Sequence, residues 1–142
     1  DITLKTPLIQ SGITPIISNK EIKEKFDRAP VVFRGIDDLE NNQEFMAFTK
    51  ILQKLRNNGI KVVVFTVPNN KALLDTIPNS DVKIFTNTLN KISKDNDVNT
   101  YFLHDKYANL EIWGDLYHVA YNNDTIVYSD DITKIILKEI NP

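Results

Sequence analysis

At 142 residues, 42% of them hydrophobic and 25% charged, the chain is long enough to bury the core of one domain and too short for a second. A net charge of −2 argues against a nucleic-acid or other polyanion partner, and the absence of cysteine excludes disulfides, thiolate metal sites and a cysteine nucleophile. No apolar run approaches the ~20 residues of a membrane span, and Asp1 to Pro7 carry neither an initiator Met nor a signal-peptide core, so the chain reads as trimmed from something longer.

Residues 1–30, punctuated by Pro7, Gly12, Pro15 and Pro30, read as a connecting segment with one charged helical stretch, Lys20 to Phe26, that packs on a domain of residues 31–142. Val31-Val-Phe33 is a short β-prone run. Leu39 to Asn58 then places Phe45, Phe48, Leu52 and Leu55 at helical spacing and stops at Asn57-Asn58-Gly59. Lys61 to Val67 is almost wholly β-branched and aromatic, which suits a strand buried on both faces of a parallel sheet. Pro68 to Asn79 is a loop with one helical turn at Lys71 to Leu74. Ser80 or Asp81 caps a helix that carries Val82, Phe85, Leu89 and Ile92 and runs to Lys94. Thr100 to Leu103 is a third strand, followed by an irregular stretch from His104 to Asp124. The last helix begins near Ser129, keeps Asp130 and Asp131 in its first turn, where they favour the helix dipole, and buries Ile132, Ile135, Ile136 and Ile140. Strands alternating with helices predict an α/β fold: a three-layer α/β/α arrangement around a short, flavodoxin-like parallel sheet, with the chemistry in loops at the carboxyl ends of the strands.

One such loop holds Asp115-Leu-Tyr-His118. Only two histidines occur in the chain, and this one has a carboxylate three residues before it. A carboxylate there can hydrogen-bond one ring nitrogen, set the tautomer and leave the other nitrogen to take a proton from a hydroxyl nucleophile. Trp113 and Tyr117 flank the pair, either as a ring platform for a sugar or acyl chain or as packing. Arg34 stands at the mouth of the first strand, where it can hold a substrate carboxylate or phosphate, and Asp37 or Asp38 can cap the following helix. His104-Asp105 reads as local polarity, since two adjacent residues make no metal site, and neither a metal nor another cofactor is expected.

The order Gly35-Ile-Asp-Asp38-Leu-Glu-Asn, the helix ending in Lys54-Leu-Arg-Asn-Asn-Gly59, the strand Lys61 to Val67 with Pro68, and Asp115-Leu-Tyr-His118 before a final helix resembles the C-terminal portion of the SGNH (GDSL-type) hydrolases, in particular the cell-envelope esterase and O-acyltransferase branch. The resemblance spans about Val31 to Ile140. It implies a serine esterase or O-acyltransferase acting on esters of surface glycans or lipids, with His118 as general base, Asp115 orienting it, and Arg34, Gly35, Asp37 and Trp113 in the substrate or oxyanion region. It also implies an extracytoplasmic parent protein behind a membrane anchor. The family's Gly-Asp-Ser nucleophile block has no counterpart here, Ser11 being too close to Gly35 to leave room for the intervening strand and helix. The domain is therefore expected to be incomplete and inactive alone, its first sheet edge covered by a missing segment or by self-association. The alternative is a non-catalytic binding or structural module on the same fold. A receiver-like signalling domain, suggested by Asp37-Asp38, lacks the Lys it needs.

Overall fold

The computed structural model describes residues 13–29, 35 and 42–140. Ser18, in extended backbone, accepts the Glu21 N–H and starts helix α1, Asn19–Arg28. Asn42 likewise accepts from the N–H groups of Glu44 and Phe45 at the start of α2, Gln43–Asn57. That helix ends as its sequence predicts. Gly59 takes φ 69°, its N–H reaches Arg56 O at 2.9 Å, and Ile60 N–H reaches Leu55 O at 3.0 Å, the paired bonds of a left-handed helix stop. Strand β1, Val63–Phe65, follows, then α3, Lys71–Leu74, α4, Asn79–Asn96, and β2, Asn99–Tyr101. A 3₁₀ turn at Asn123–Thr125 leads into α5, Val127–Ile140.

β1 and β2 pair in parallel, Val63 opposite Asn99, Val64 opposite Thr100 and Phe65 opposite Tyr101, so the crossover between them carries α3 and α4. This is the small α/β unit that the alternation of strands and helices predicts. Each strand is only three residues long, and Phe65 stays 37% exposed rather than buried on both faces, because its side faces an open cavity shared with Phe48 and Phe85. The expected strand Val31 to Phe33 lies outside the described residues.

The main core gathers Ile22 and Phe26 from α1, Leu103 and Tyr107 after β2, Ile112 and Trp113, and Ile135 from α5. Residues 19–28 thus supply two of the most buried side chains, where the sequence suggests a segment lying outside the centre. On α5 the buried face is also displaced from expectation: Ile136 and Ile140 are 43% and 65% exposed, whereas Ile135 and Glu139 are buried. The reason is a polar clasp at the start of the sheet. Glu139 accepts from Asn99 Nδ2 at 2.8 Å and Tyr101 OH at 2.6 Å and pairs with Lys61 at 3.6 Å, so its carboxylate is solvated by protein donors.

A second clasp holds the N-terminal half of α5, which begins at Val127 rather than near Ser129, so that Asp130 falls in its first turn and Asp131 just beyond it. Asp131 accepts from Lys106 Nζ and from the buried Tyr107 OH, each at 2.7 Å. The Lys106 bond and then the Tyr107 bond hold its carboxyl down at about 2, against the opposing effect of desolvation. A carboxyl depressed by folding adds stability above its unfolded value of roughly 3.9, and that stability is lost as the pH falls through the folded value. Asp131→Ala is expected to cost about 1–2 kcal/mol at pH 7 and to flatten the decline in melting temperature between about pH 4 and 2, followed by circular dichroism.

Candidate active-site loop

After β2 the chain passes through Ile112 and Trp113, and Trp113 is bridged on both sides, antiparallel to Ile17 and to Val119. Ile17 N–H donates to Trp113 O at 2.9 Å, Gly114 N–H to His118 O at 2.9 Å and Ala120 N–H to Ile112 O at 2.7 Å. Residues 114–118 are therefore a loop closed at its base. Inside it, Asp115 Oδ1 accepts the N–H of Tyr117 at 2.7 Å and of His118 at 2.8 Å, a side-chain-closed turn of the kind Asp favours.

The same carboxylate faces His118 Nδ1, at 3.0 Å from Oδ1 and 2.9 Å from Oδ2. With only acceptors opposite Nδ1, the ring hydrogen is assigned there and Nε2 keeps its lone pair. Nε2 has no hydrogen-bond partner among the described residues, and the His118 side chain is 79% exposed. Partial burial alone would raise the Asp115 carboxyl. The N–H of Tyr117, the His118 ring and the His118 N–H outweigh it and hold the group below the usual carboxylate range. Asp115 is thus ionised, fixed from three directions, and aimed at one nitrogen of a base that is open on its other side.

Three contacts fasten this loop to the body. Asn70, 1% exposed, donates through Nδ2 to Leu116 O and accepts the Leu73 N–H at 2.9 Å, tying the loop to the segment that leaves β1. The Tyr117 ring meets Phe26 of α1 edge-on, centroids 6.1 Å apart. Gly114 lets two segments close on it: an added Cβ would stand 2.8 Å from Thr14 Cγ2 and 3.1 Å from Ala120 Cα. The Ala120 backbone cannot yield cheaply, so Gly114→Ala is expected to cost about 1–3 kcal/mol in urea denaturation and to shift the amide resonances of residues 115–118.

The sequence-level candidates fall out unequally. Asp115 and His118 meet. Trp113 is 0% exposed within the core cluster, so it is no surface platform for a sugar or acyl chain; the bridges on both sides turn its ring inward. Tyr117 remains 47% exposed. Gly35 is exposed, and a Cβ built on it would lie 3.5 Å from Asp81 Oδ2. Ser11, Arg34, Asp37 and Asp38 lie outside the described residues. Among those described, no serine hydroxyl is hydrogen-bonded to His118; Ser18 caps α1, and Ser93 donates to Leu89 O at 2.6 Å. No group of three or more His, Asp or Glu among the described residues could hold a metal ion.

Asn70 is the functional-loop residue that sequence reasoning overlooks. Its position just before Lys71 is a readable helix-cap signal, but its bond to Leu116, 46 residues on, has no local signature. No family model, curated protein or solved structure matches this chain.

Proposed function

We propose that this chain is the Asp/His-bearing part of an SGNH-type serine esterase or O-acyltransferase acting on esters of cell-surface glycans or lipids. One observation carries the reading: Asp115 holds His118 Nδ1 at 2.9 Å while Nε2 stays open, in a loop beyond the carboxyl end of β2. In this reading a serine hydroxyl gives its proton to Nε2 as its oxygen attacks the ester carbonyl carbon, and the carboxylate stabilises the imidazolium that forms. The imidazolium then protonates the departing alkoxide, leaving an acyl-serine. Water releases the acyl group in an esterase; a second alcohol takes it in an acyltransferase.

The serine belongs to polypeptide that completes the sheet as a three-layer α/β/α domain. β1 has no strand partner on its other edge among the described residues, and that edge is where a preceding segment or a second copy would pair. The resemblance further proposes an extracytoplasmic, membrane-anchored parent; no described helix is long and apolar enough to cross a membrane.

A second reading, a non-catalytic binding module, is favoured by the backbone bonds to Asp115, which already satisfy the carboxylate as a turn cap. Hydrolysis of p-nitrophenyl acetate by the longer protein, in which a serine-bearing segment is joined to this chain, separates the two. The esterase reading expects a rate above buffer that falls about 10²-fold or to background in His118→Ala. Equal rates in the two proteins would leave the module reading.

A further inference from the structure

Beside the loop leaving β1 lies a cavity of about 700 Å³, walled by Phe48 of α2, Val64 and Phe65 of β1, and Val82, Phe85 and Leu89 of α4. Ligand sites of this kind are mostly apolar with a few placed polar groups. Here those groups include Thr66, His104, Asn69 and Asp81.

Thr66 and His104 form an ordered pair. Thr66, 8% exposed, accepts the Leu103 N–H at 2.7 Å, and its own proton has no acceptor among the described residues other than His104 Nδ1, 3.3 Å away. With that proton on Nδ1 as acceptor, the ring hydrogen of His104 is at Nε2, which has no partner among the described residues. Phe85 and Phe102 hold the ring edge-on, each at 6.0 Å. The cavity therefore combines apolar walls with an imidazole N–H donor. Asp81, an acid lining the same space, disfavours a carboxylate there.

We propose that this cavity binds a neutral acyl ester of medium chain length, the alkyl chain lying along Phe48, Val64, Val82, Phe85 and Leu89 and the ester carbonyl accepting from His104 Nε2. It rests on the esterase reading for the choice of an ester among neutral acceptors, and it adds that the acyl group is long and apolar. The two sites share a frame: Asn69 lines the cavity, and the next residue, Asn70, holds the Asp115–His118 loop.

The test is an NMR titration of the isotopically labelled chain with methyl hexanoate, methyl octanoate and methyl decanoate, each below its aggregation limit. Affinity is expected to rise about fourfold per added methylene, with shifts at the Leu74, Val82 and Leu89 methyls and the His104 ring. The octanoate anion is expected to bind at least tenfold more weakly than its methyl ester. Val82→Trp and, independently, Leu74→Trp fill the cavity and are expected to abolish binding, with thermal melts confirming the fold. His118→Ala is expected to bind normally, so failure of the catalytic reading and failure of this one give different results. Affinity that is flat with chain length, equal binding of the anion, or shifts confined to residues outside this cavity would overturn the proposal.

Discussion

In the longer protein that supplies the serine, Asp115→Asn is expected to lower the His118-dependent hydrolysis of p-nitrophenyl acetate by up to the ~10²-fold loss expected of His118→Ala, while leaving the chain folded. The substitution separates two jobs that one carboxylate performs. As a cap, Asp115 accepts the N–H groups of Tyr117 and His118 at 2.7 and 2.8 Å, and an asparagine oxygen accepts such bonds nearly as well. As a partner of the imidazole it does what an amide cannot, stabilising the positive ring formed when Nε2 takes a proton. An asparagine that turns its NH₂ toward Nδ1 also places the ring hydrogen on Nε2, the wrong nitrogen for a base. Asp115→Ala removes both functions and is expected to lose a further ~1 kcal/mol of stability with the cap. The kinetic assay, read beside thermal melts of both variants, decides the matter: wild-type rates in Asp115→Asn would mean that the pair is a turn with a histidine beside it.

Trp113→Ala is expected to carry the largest stability cost in the chain, about 3–5 kcal/mol in urea denaturation. Trp113 is fully buried with Ile22, Phe26, Tyr107 and Ile135, so truncation removes aromatic area from three parts of the chain at once and leaves a cavity that bridged backbone cannot collapse into. Trp113→Phe is expected to cost much less. It keeps most of the apolar volume, and the indole Nε1 has no hydrogen-bond partner among the described residues to leave stranded. Because Trp113 is the single tryptophan, its own fluorescence reports on the wild-type chain: emission is expected at short wavelength in the fold and to shift red in the same transition that circular dichroism follows. The loop should respond as well, since Trp113 carries the bridges from which Gly114 to His118 depart. A loss below about 1 kcal/mol would contradict the burial of this ring.

Between the two variants the division of information in this molecule is visible. Signals that operate within a helical turn were legible in the residues themselves. The Asn57-Asn58-Gly59 stop, the turn at Lys71 to Leu74 and the acidic start of α5 need only their immediate neighbours, and each stands in the fold. The meeting of Asp115 and His118 belongs to the same class, because a three-residue turn closes on its own side chain. Even the parallel pairing of β1 with β2 follows from alternation along the chain.

What could not be read locally is which side chains end up inside. Trp113 reads as a platform or as packing until Ile17, far upstream in the chain, pairs with one side of it and Val119 with the other. Isoleucines at 136 and 140 look like core, yet Glu139 takes the buried place because Asn99, Tyr101 and Lys61 converge there. The Asn70 clasp and the cavity beside His104 likewise arise only where distant segments meet. The sequence alone thus determined the stop of α2 at Gly59, the helical turn at Lys71 to Leu74, the parallel pairing of the strands and the placing of an acid beside a histidine. By contrast, α4 starts at Asn79 behind Pro78 rather than at a Ser80 or Asp81 cap, and α5 starts at Val127, ahead of Ser129. Tertiary structure decided the inward turn of the tryptophan, the fastening of the loop and the shape of the cavity, because burial is a property of contacts between residues far apart in the chain, and no local pattern encodes a partner it does not contain.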